Sequence, residues 1–337
     1  MHKKIILLIL SLIFIISCSS PSNPDNGNEG NNGGSTVPPP TGPTEEELIK
    51  KYGIDIGQDN AAIIQQIGEK LQLYFEEYKD YRIIFIGNPR SYDESLSSLI
   101  IKAVSSFQGI NEIDIDIKYI NFKDGTISGD IFSGPTDDEN IGFNFIFPEN
   151  KIKTIGDNAF SFLYNLKEIT IPASVTRIGL NAFNNCGNLI KLNLKNGLET
   201  IDNSAFLQVP FLSEVIIPDS VKTIGDSAFA NDTIQKLQLS SSLEFIGMQA
   251  FINLEIEELI IPASVKTIGD QAFAYSFTTL KRVVYLGTTP NDITSTGTDV
   301  FKDCSMLTTL IVPNATNPND EKWKTFLGGN FTIVKQN

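Results

Sequence analysis

The sequence predicts an α/β chain in which a solenoid of short repeats occupies more than half of the 337 residues. Two observations carry this prediction: a phenylalanine returns at a regular step, and a strand-like segment follows it each time. The step is about 22–23 residues, with one longer step at the end, and a period in this range is typical of stacked repeats. The recurring residues are Phe160, Phe183, Phe206, Phe229, Phe251, Phe273 and Phe301.

Each of these phenylalanines except the last closes a repeated phrase. The copies at 171–183, 217–229 and 261–273 read IPASVTRIGLNAF, IPDSVKTIGDSAF and IPASVKTIGDQAF, and weaker copies lie at 194–206 and 239–251. The weaker copies alternate with the stronger ones, which predicts a duplication unit of two repeats. They depart at the proline, because Asn196 and Ser240 stand where the others have Pro172, Pro218 and Pro262.

The segment after each phenylalanine has the form L-x-x-L-x-L, as in residues 166–171. Alternate residues of a strand point to opposite faces, so Ile169 and Ile171 are predicted to face inward, with Glu168 and Thr170 facing outward. A second apolar group in each unit closes the other side of the same core layer. One unit cannot bury its apolar face alone, whereas stacked units can.

The full repeat, L-x-x-I-x-I-P-x-S-V-x-x-I-G-x-x-A-F-x-x-C-x-x-L, resembles the BspA-like leucine-rich repeat of bacterial surface proteins. Residues 166–189 match it almost completely, including Cys186 and Leu189, and the resemblance extends over about 140–312. It implies a leucine-rich-repeat solenoid that binds other proteins, and adhesion to host matrix proteins or to other bacteria. We predict 136–312 as the repeat array.

The first residues have the features of a secretion signal. Lys3 and Lys4 precede a short apolar run, and that run is too short to span a bilayer as a helix. Residues 15–18 read IISC and resemble a bacterial lipobox, in which Cys18 would carry the lipid after removal of residues 1–17. A plain signal peptide with an incidental cysteine is the alternative. Residues 18–44 are rich in Ser, Asn, Gly and Pro and are predicted to be a disordered tether.

Residues 45–135 are predicted to form a small α/β cap that includes the first rung, which Phe132 closes. A helical stripe runs through Ala61, Ile64, Ile67, Leu71 and Phe75, and a buried strand follows at 81–86. Ser91 and Glu94 read as a capping box for a second helix, and 112–117 as a strand with one solvated polar face. Residues 313–337, with Trp323, Phe326 and Phe331, are predicted as the C-terminal cap.

The composition excludes several classes of function. The formal net charge of −14 becomes −16 if residues 1–17 are removed, and this argues against nucleic acid and against an anionic membrane surface. The only histidine, His2, leaves with the signal peptide, so no His-based triad and no His-ligated metal site is expected. We therefore predict no catalytic residue, no metal and no cofactor.

Carboxylates are the remaining catalytic candidates. Glu112, Asp114 and Asp116 share one strand face, and residues 137–139 read DDE in a loop. Carboxylate pairs serve glycosidases and calcium sites, but a solvated strand face and a polar turn are the simpler interpretation. The segment 87–91 precedes a helix N-terminus, where an anion can bind, although no glycine-rich fingerprint accompanies it.

Cys186 and Cys304 occupy the same consensus position five repeats apart. With rungs about 5 Å apart they lie too far from each other for a disulfide. We predict two separate buried thiols.

The outward strand positions form two ladders that are candidates for partner binding. In the charged ladder the sign alternates; the apolar ladder becomes consistently apolar toward its end. An exposed apolar patch surrounded by polar groups marks an interaction site, whereas register, solubility and β-propensity are the structural alternatives. The candidate binding residues are Glu214, Lys236, Glu258 and Arg282 in the charged ladder, and Ile216, Ile260, Val284 and Ile311 in the apolar one.

Three hypotheses for function remain at this point. The first is a lipid-anchored protein exposed on the outer-membrane surface that binds a host matrix or bacterial surface protein. The second is an envelope scaffold that faces the periplasm. The third, a glycan hydrolase that uses carboxylates, lacks a recognisable motif.

Overall fold

The repeats stack as rungs of a parallel β-solenoid in this computed structural model, which describes residues 42–134, 140–230 and 233–336. Each rung contributes a strand-face strand and a second, two-residue strand, and their inward side chains share one apolar core. This confirms the predicted solenoid. From Thr44 onward the described residues form a single unit.

The N-terminal part of that unit contains three helices and a parallel sheet of four strands in the order β1-β2-β3-β5. A bridge between Phe143 and Leu166 connects this sheet to the strand face of the repeats. The elements are α1 (Glu45–Tyr52), β1 (Gly53–Asp55), α2 (Asn60–Tyr78), β2 (Arg82–Gly87), α3 (Leu96–Val104), β3 (Glu112–Ile120), β4 (Thr126–Ile127) and β5 (Gly142–Ile146).

The repeats alternate between the two kinds of strand. The next elements are β6 (Thr154–Ile155), β7 (Glu168–Ile171), β8 (Arg177–Ile178), β9 (Lys191–Leu194), β10 (Thr200–Ile201), β11 (Glu214–Ile216) and β12 (Thr223–Ile224). They continue with β13 (Lys236–Gln238), β14 (Phe245–Ile246), β15 (Glu258–Ile261), β16 (Thr267–Ile268), β17 (Arg282–Tyr285), β18 (Ser295–Thr296), β19 (Thr309–Ile311) and β20 (Ile333–Lys335).

The two-residue strands form one unbroken sheet of eight, from β4 to β18. The sequence analysis assigned these positions only to the core and predicted no strand there. A two-residue strand is too short to show period-2 alternation, so only the stacking of rungs reveals it.

A column of stacked phenylalanine rings fills the core from Phe132 to Phe301. Neighbouring rings are parallel within 19°, and their centroids are 5.1 to 6.0 Å apart. Strands pair at nearly this spacing, so the rings and the ladders fix the same rung separation. Phe132 stacks on Phe160 at 5.5 Å, as expected of a first rung.

The turn before most of the core phenylalanines depends on a close approach between rungs. A Cβ atom on Gly247 or Gly269 would lie 2.4 Å from a backbone nitrogen of the preceding rung, so glycine is favoured there, although Asp202 holds the same position before Phe206. A polar residue two positions further on adopts a left-handed conformation, with φ between 54° and 58°, which asparagine and aspartate tolerate best. These residues are Asn158, Asn181, Ser204, Ser227, Gln249, Gln271 and Asp299.

Side-chain oxygens at the same turn accept backbone N–H groups from the next rung. Such bonds satisfy amides that have no partner within their own rung. The distances are 3.0 Å from Leu180 N to Asp157, 2.8 Å from Asp226 N to Asn203, 2.7 Å from Met248 N to Asp226 and 2.6 Å from Thr298 N to Asp270.

The sheet on the strand face, unlike the short-strand sheet, is divided into β7-β9, β11-β13 and β15-β17-β19-β20. Within the described residues, no strand pairing joins β9 to β11 or β13 to β15. These two breaks are two rungs apart, as the predicted two-repeat unit requires, but β15, β17, β19 and β20 continue without a break. The register places Ile171 opposite Leu194, so the residue in the position of Pro172 is Lys195, and the assignment to Asn196 was wrong by one residue.

Proline explains part of this division. Lys195 and Leu286 donate their backbone N–H to the preceding rung, at 3.3 and 3.0 Å. Pro218 and Pro262 hold the same position at the two breaks, and proline has no N–H to donate. The missing N–H removes one hydrogen bond between two strands but does not by itself prevent them from pairing. Pro313 shows this, since it holds the same position and β17 still pairs with β19.

The C-terminal residues cover the end of the core. Trp323, Phe326 and Phe331 are buried, and the Trp323 ring lies 6.0 Å from that of Tyr285. This region also contributes β20, which pairs with β19 and adds one more strand to the face. The sequence analysis had assigned these residues to a cap alone.

Two details of the N-terminal helices differ from the prediction. The buried stripe of α2 runs through Ile63, Ile67, Leu71 and Tyr74, whereas Ala61 is exposed. Helix α3 begins after Ser95, whose Oγ accepts the N–H of Ser98, so the proposed capping box of Ser91 and Glu94 was wrong. Ser91 and Ser95 were both suitable as the N-cap of this helix. Packing of Leu96 in the core selects Ser95.

Across residues 42–134, 140–230 and 233–336, none of the helices has the length and apolar character needed to cross a membrane.

We predict that Phe206→Ala lowers the free energy of unfolding by about 3–5 kcal/mol. Phe206 is fully buried, and its ring stacks at 5.1 Å on both neighbours, so truncation leaves a cavity inside the column. Urea-induced unfolding measures the change. Phe211→Ala is the control, because that exposed side chain should shift stability by no more than about 0.5 kcal/mol. Equal losses in the two variants would contradict the role of the column.

Candidate interaction surface

The charged ladder lies on the strand face as predicted, but its contacts form in separate pairs. A carboxylate oxygen of Glu214 lies 2.5 Å from Lys236 Nζ, and one of Glu258 lies 2.5 Å from Arg282 Nε. Glu168 and Lys191 Nζ make the same kind of contact at 2.7 Å. Among the described residues, no ion pair joins Lys191 to Glu214 or Lys236 to Glu258. The pairs therefore coincide with the two-rung units of the sheet.

The apolar ladder is exposed at some rungs and partly covered at others. Ile216 and Ile260 are 43% and 48% exposed, so both are available to a partner. Val284 and Ile311 are half-buried, because Val284 lies between strands β15 and β19 and Ile311 lies between β17 and β20. The four predicted residues thus share one face, with the greatest exposure at the first rung of a unit.

One apolar residue of this face was missed in the sequence analysis. Ile333 is 50% exposed on β20 and lies opposite Thr309 in the parallel register. In the sequence, the apolar pair at 333–334 after Phe331 indicated a strand. It was overlooked because the whole segment was interpreted as a cap. Ile333 therefore continues the charged ladder past Thr309, and Lys335 is the residue opposite Ile311 in the apolar ladder.

A cleft of about 470 Å³ opens at the first break in the sheet, between β9 and β11. The exposed Ile190 and Ile216 line it, together with Asn193 and Glu214. Two of the predicted binding residues are therefore at this break. No pattern within a single repeat indicated the cleft, because it arises where two rungs do not pair.

The carboxylates of β3 do not form the solvated face that was expected. Asp116 is fully buried, forms an ion pair with Arg82, and accepts the backbone N–H of Lys118 at 3.0 Å. Asp114 is partly buried and accepts a bond from Asn144 at 3.3 Å, and burial raises the pKa of its carboxyl group. The sequence could not show this, since the burial comes from helix α1 and its neighbours covering the sheet.

Within the described residues, no group of three His, Cys, Asp or Glu side chains could hold a metal ion. The acidic residues at 137–139 lie outside the described residues, as do Cys18 and the predicted signal peptide. They stay predictions.

The segment after β2 is occupied by its own contacts. Arg90 donates to the carbonyls of Gln58 and Ser91 and to Asn60, each at 2.7 Å. Its guanidinium also stacks on Tyr92 at 4.4 Å. The guanidinium of Arg90 therefore holds the loop together through its own hydrogen bonds.

Both cysteines of the repeats are buried free thiols, as predicted. The Sγ atoms of Cys186 and Cys304 contact carbonyl oxygens of Phe160 and Phe273 at 3.1 and 3.3 Å. Burial raises the pKa of Cys186 to about 12, so its thiol remains protonated and unreactive at neutral pH.

A family model described as the BspA type leucine rich repeat region matches the chain in six copies. The matches span residues 125–254 and 211–322, which is more than half of the chain. They cover every rung from β4 to the last turn after β19. No curated protein matches the sequence.

Several solved structures are similar to this chain. A leucine-rich repeat protein from Bacteroides ovatus is 26% identical, with 60% of this chain and 55% of that chain covered and a TM-score of 0.46. This chain thus spans about half the length of that protein. A leucine-rich repeat protein of T. pallidum is 23% identical, covering 67% and 93%, with a TM-score of 0.43. A leucine rich cell surface protein from Faecalibacterium prausnitzii is 18% identical, covering 67% and 84%, with a TM-score of 0.37.

We predict that Asp116→Asn destabilises the protein by about 3 kcal/mol, because it leaves Arg82 without its counter-charge in a partly buried site. Glu214→Gln removes one member of an exposed pair and should leave the urea midpoint almost unchanged. Urea-induced unfolding of the two variants at low and at high salt measures how much each ion pair contributes to stability. A larger loss in Glu214→Gln would show that the exposed ladder contributes more to stability than the buried pair does.

Proposed function

Since the chain belongs to the BspA-type leucine-rich repeat family, we propose that its strand face binds a protein partner at the cell envelope, in an adhesive role. Repeats of this family form scaffolds for protein–protein interaction. One observation carries the assignment to this face: Ile216, Ile260 and Ile333 are each about half exposed on the strand face, Ile216 on the β11-β13 sheet and the other two on the sheet that ends at β20. Exposed apolar side chains surrounded by polar groups mark interaction sites.

The electrostatics of the face favour a protein over a highly charged ligand. Its glutamates are neutralised by lysine or arginine on the next rung, so the face is locally neutral although the chain carries a net charge of −14. A neutral apolar surface with a polar border has the composition of a protein interface. Glu214, Lys236, Glu258 and Arg282 form that border.

We further propose that Cys18 carries a lipid and that the repeats lie outside the cell. The lipobox-like residues 15–18 and the tether-like composition of 18–44 support this. The alternative is a scaffold that faces the periplasm. The buried pairing of Asp116 removes the best carboxylate pair from a glycan hydrolase, so we do not propose that activity.

We predict that Ile260→Glu combined with Ile333→Glu abolishes partner binding without loss of fold. Both side chains are about half exposed, so charge is placed on the surface and not in the core. Binding to immobilised matrix proteins and to intact bacterial cells is the readout. Met248→Glu is the matched control, since Met248 is 43% exposed on the opposite turn. Binding by the double variant equal to that of the unmodified protein would refute the strand-face assignment.

Protease treatment of intact cells tests the location. We expect loss of the 45–337 fragment while a periplasmic marker stays intact, because a lipid-anchored repeat domain on the outer surface is accessible to the protease. Protection of the fragment, with cleavage after the cells are opened, would favour the periplasm-facing scaffold instead.

A further inference from the structure

The strand face repeats with a period of two rungs, and this period limits what can bind along it. The units β7-β9, β11-β13 and β15-β17 each carry one glutamate on the first rung and one lysine or arginine on the second. Ile216 and Ile260 occupy equivalent positions on the first rungs of two successive units. A partner that contacts both must repeat its own contacts at the same interval.

The interval follows from the spacing of the core rings. The rung of Phe206 lies 5.1 Å from that of Phe229, which lies 5.3 Å from that of Phe251. Ile216 and Ile260 are thus separated by about 10 Å along the solenoid. An α-helix rises roughly 10.5 Å in seven residues, so residues i and i+7 of a helix match this interval.

Other regular peptides fit the interval less well. Same-face residues of an extended strand recur about every 6.7 Å, so they lose register with the isoleucines after one unit. A polyproline helix returns to the same face about every 9.3 Å, about 1 Å short of the interval. Of the three, the α-helix matches the interval most nearly.

The charges match the same partner. Along the charged ladder from Glu214 to Arg282, the sign of the side-chain charge changes from one rung to the next, and the rungs are about 5 Å apart. Helical side chains at successive i, i+3 and i, i+4 spacings lie about 4.5–6 Å apart along the axis. A helix with lysine and glutamate alternating along one edge therefore presents the opposite sign to each rung.

We propose that the strand face between β11 and β17 binds an amphipathic α-helix laid along the solenoid axis, with an apolar residue at every seventh position and alternating charges beside it. One apolar residue of the helix packs on Ile216, and the next packs on Ile260. This proposal rests on the proposed protein-binding role of the same face and adds the kind of partner.

A synthetic helical peptide of about four heptads tests the proposal, with alanine as the helix-forming background. It carries leucine at every seventh position and alternating lysine and glutamate along one edge. One apolar position per heptad is too few for the peptide to form a coiled coil with itself. The comparison peptide has the same length and composition, with its four leucines spaced five residues apart. We expect the heptad peptide to bind the full chain at least about tenfold more tightly, as measured by fluorescence anisotropy.

The reversed pair Glu214→Lys with Lys236→Glu then tests the charge register, because it keeps the ion pair and the net charge. We expect it to weaken binding of the heptad peptide and to strengthen binding of a peptide with inverted charges. Reversal of the pair Glu94 and Lys102, which lies outside the repeats, is the control and should change neither.

The outcomes separate this proposal from the broader one. Equal binding of the two peptides, or insensitivity to the reversed pair, would overturn the helical partner. If neither peptide binds while a protein partner binds in an Ile260-dependent manner, the helix proposal is wrong and the protein-binding role stands. If Ile260→Glu leaves the binding of every protein partner unchanged, the proposed role itself fails.

Discussion

The separation between successive rungs is the constraint on which the rest of this structure depends. A single rung of about 22 residues has too little surface to bury its own apolar side chains, so each layer is completed by its neighbours. The phenylalanine column, the glycine turns and the eight-stranded short sheet all require the same spacing of 5–6 Å. Any side chain that forced two rungs apart would disturb all three at once.

The strand face tolerates departures from this regularity because the opposite side maintains it. Pairing is interrupted twice on the strand face, while the short-strand sheet and the phenylalanine column continue without a break. A cleft opens beside Ile216 on the strand face, while the phenylalanine column behind it stays continuous.

Ion pairs on this face have largely exposed side chains, and such pairs contribute little to folding stability. In the proposed complex they would set the sign of charge at each rung and so restrict which partner can align with it. The buried pair of Arg82 and Asp116 has a different role, because its loss would leave an uncompensated charge beneath helix α1.

Much of the fold could be predicted from the sequence, because repetition averages out local ambiguity. The inward Ile169 and Ile171, the outward Glu168, the second apolar group of each core layer and the separate buried thiols were predicted from the repeat pattern, whereas the stacking of the phenylalanine rings was not. The N-terminal unit was predicted less accurately. The stripe of α2 and the start of α3 occur once each, and neighbouring residues offered equivalent local choices.

By itself, the sequence determined the repeat period, the residues that face the core and the order of charges along the outer face. These follow from strand alternation and from a regular step, both of which are local properties of the chain. Only the tertiary structure decided which rungs pair, where Asp116 is buried and how Ile333 joins the strand face. Each of these depends on residues far apart in sequence, whose contact is fixed by packing and not by local preference.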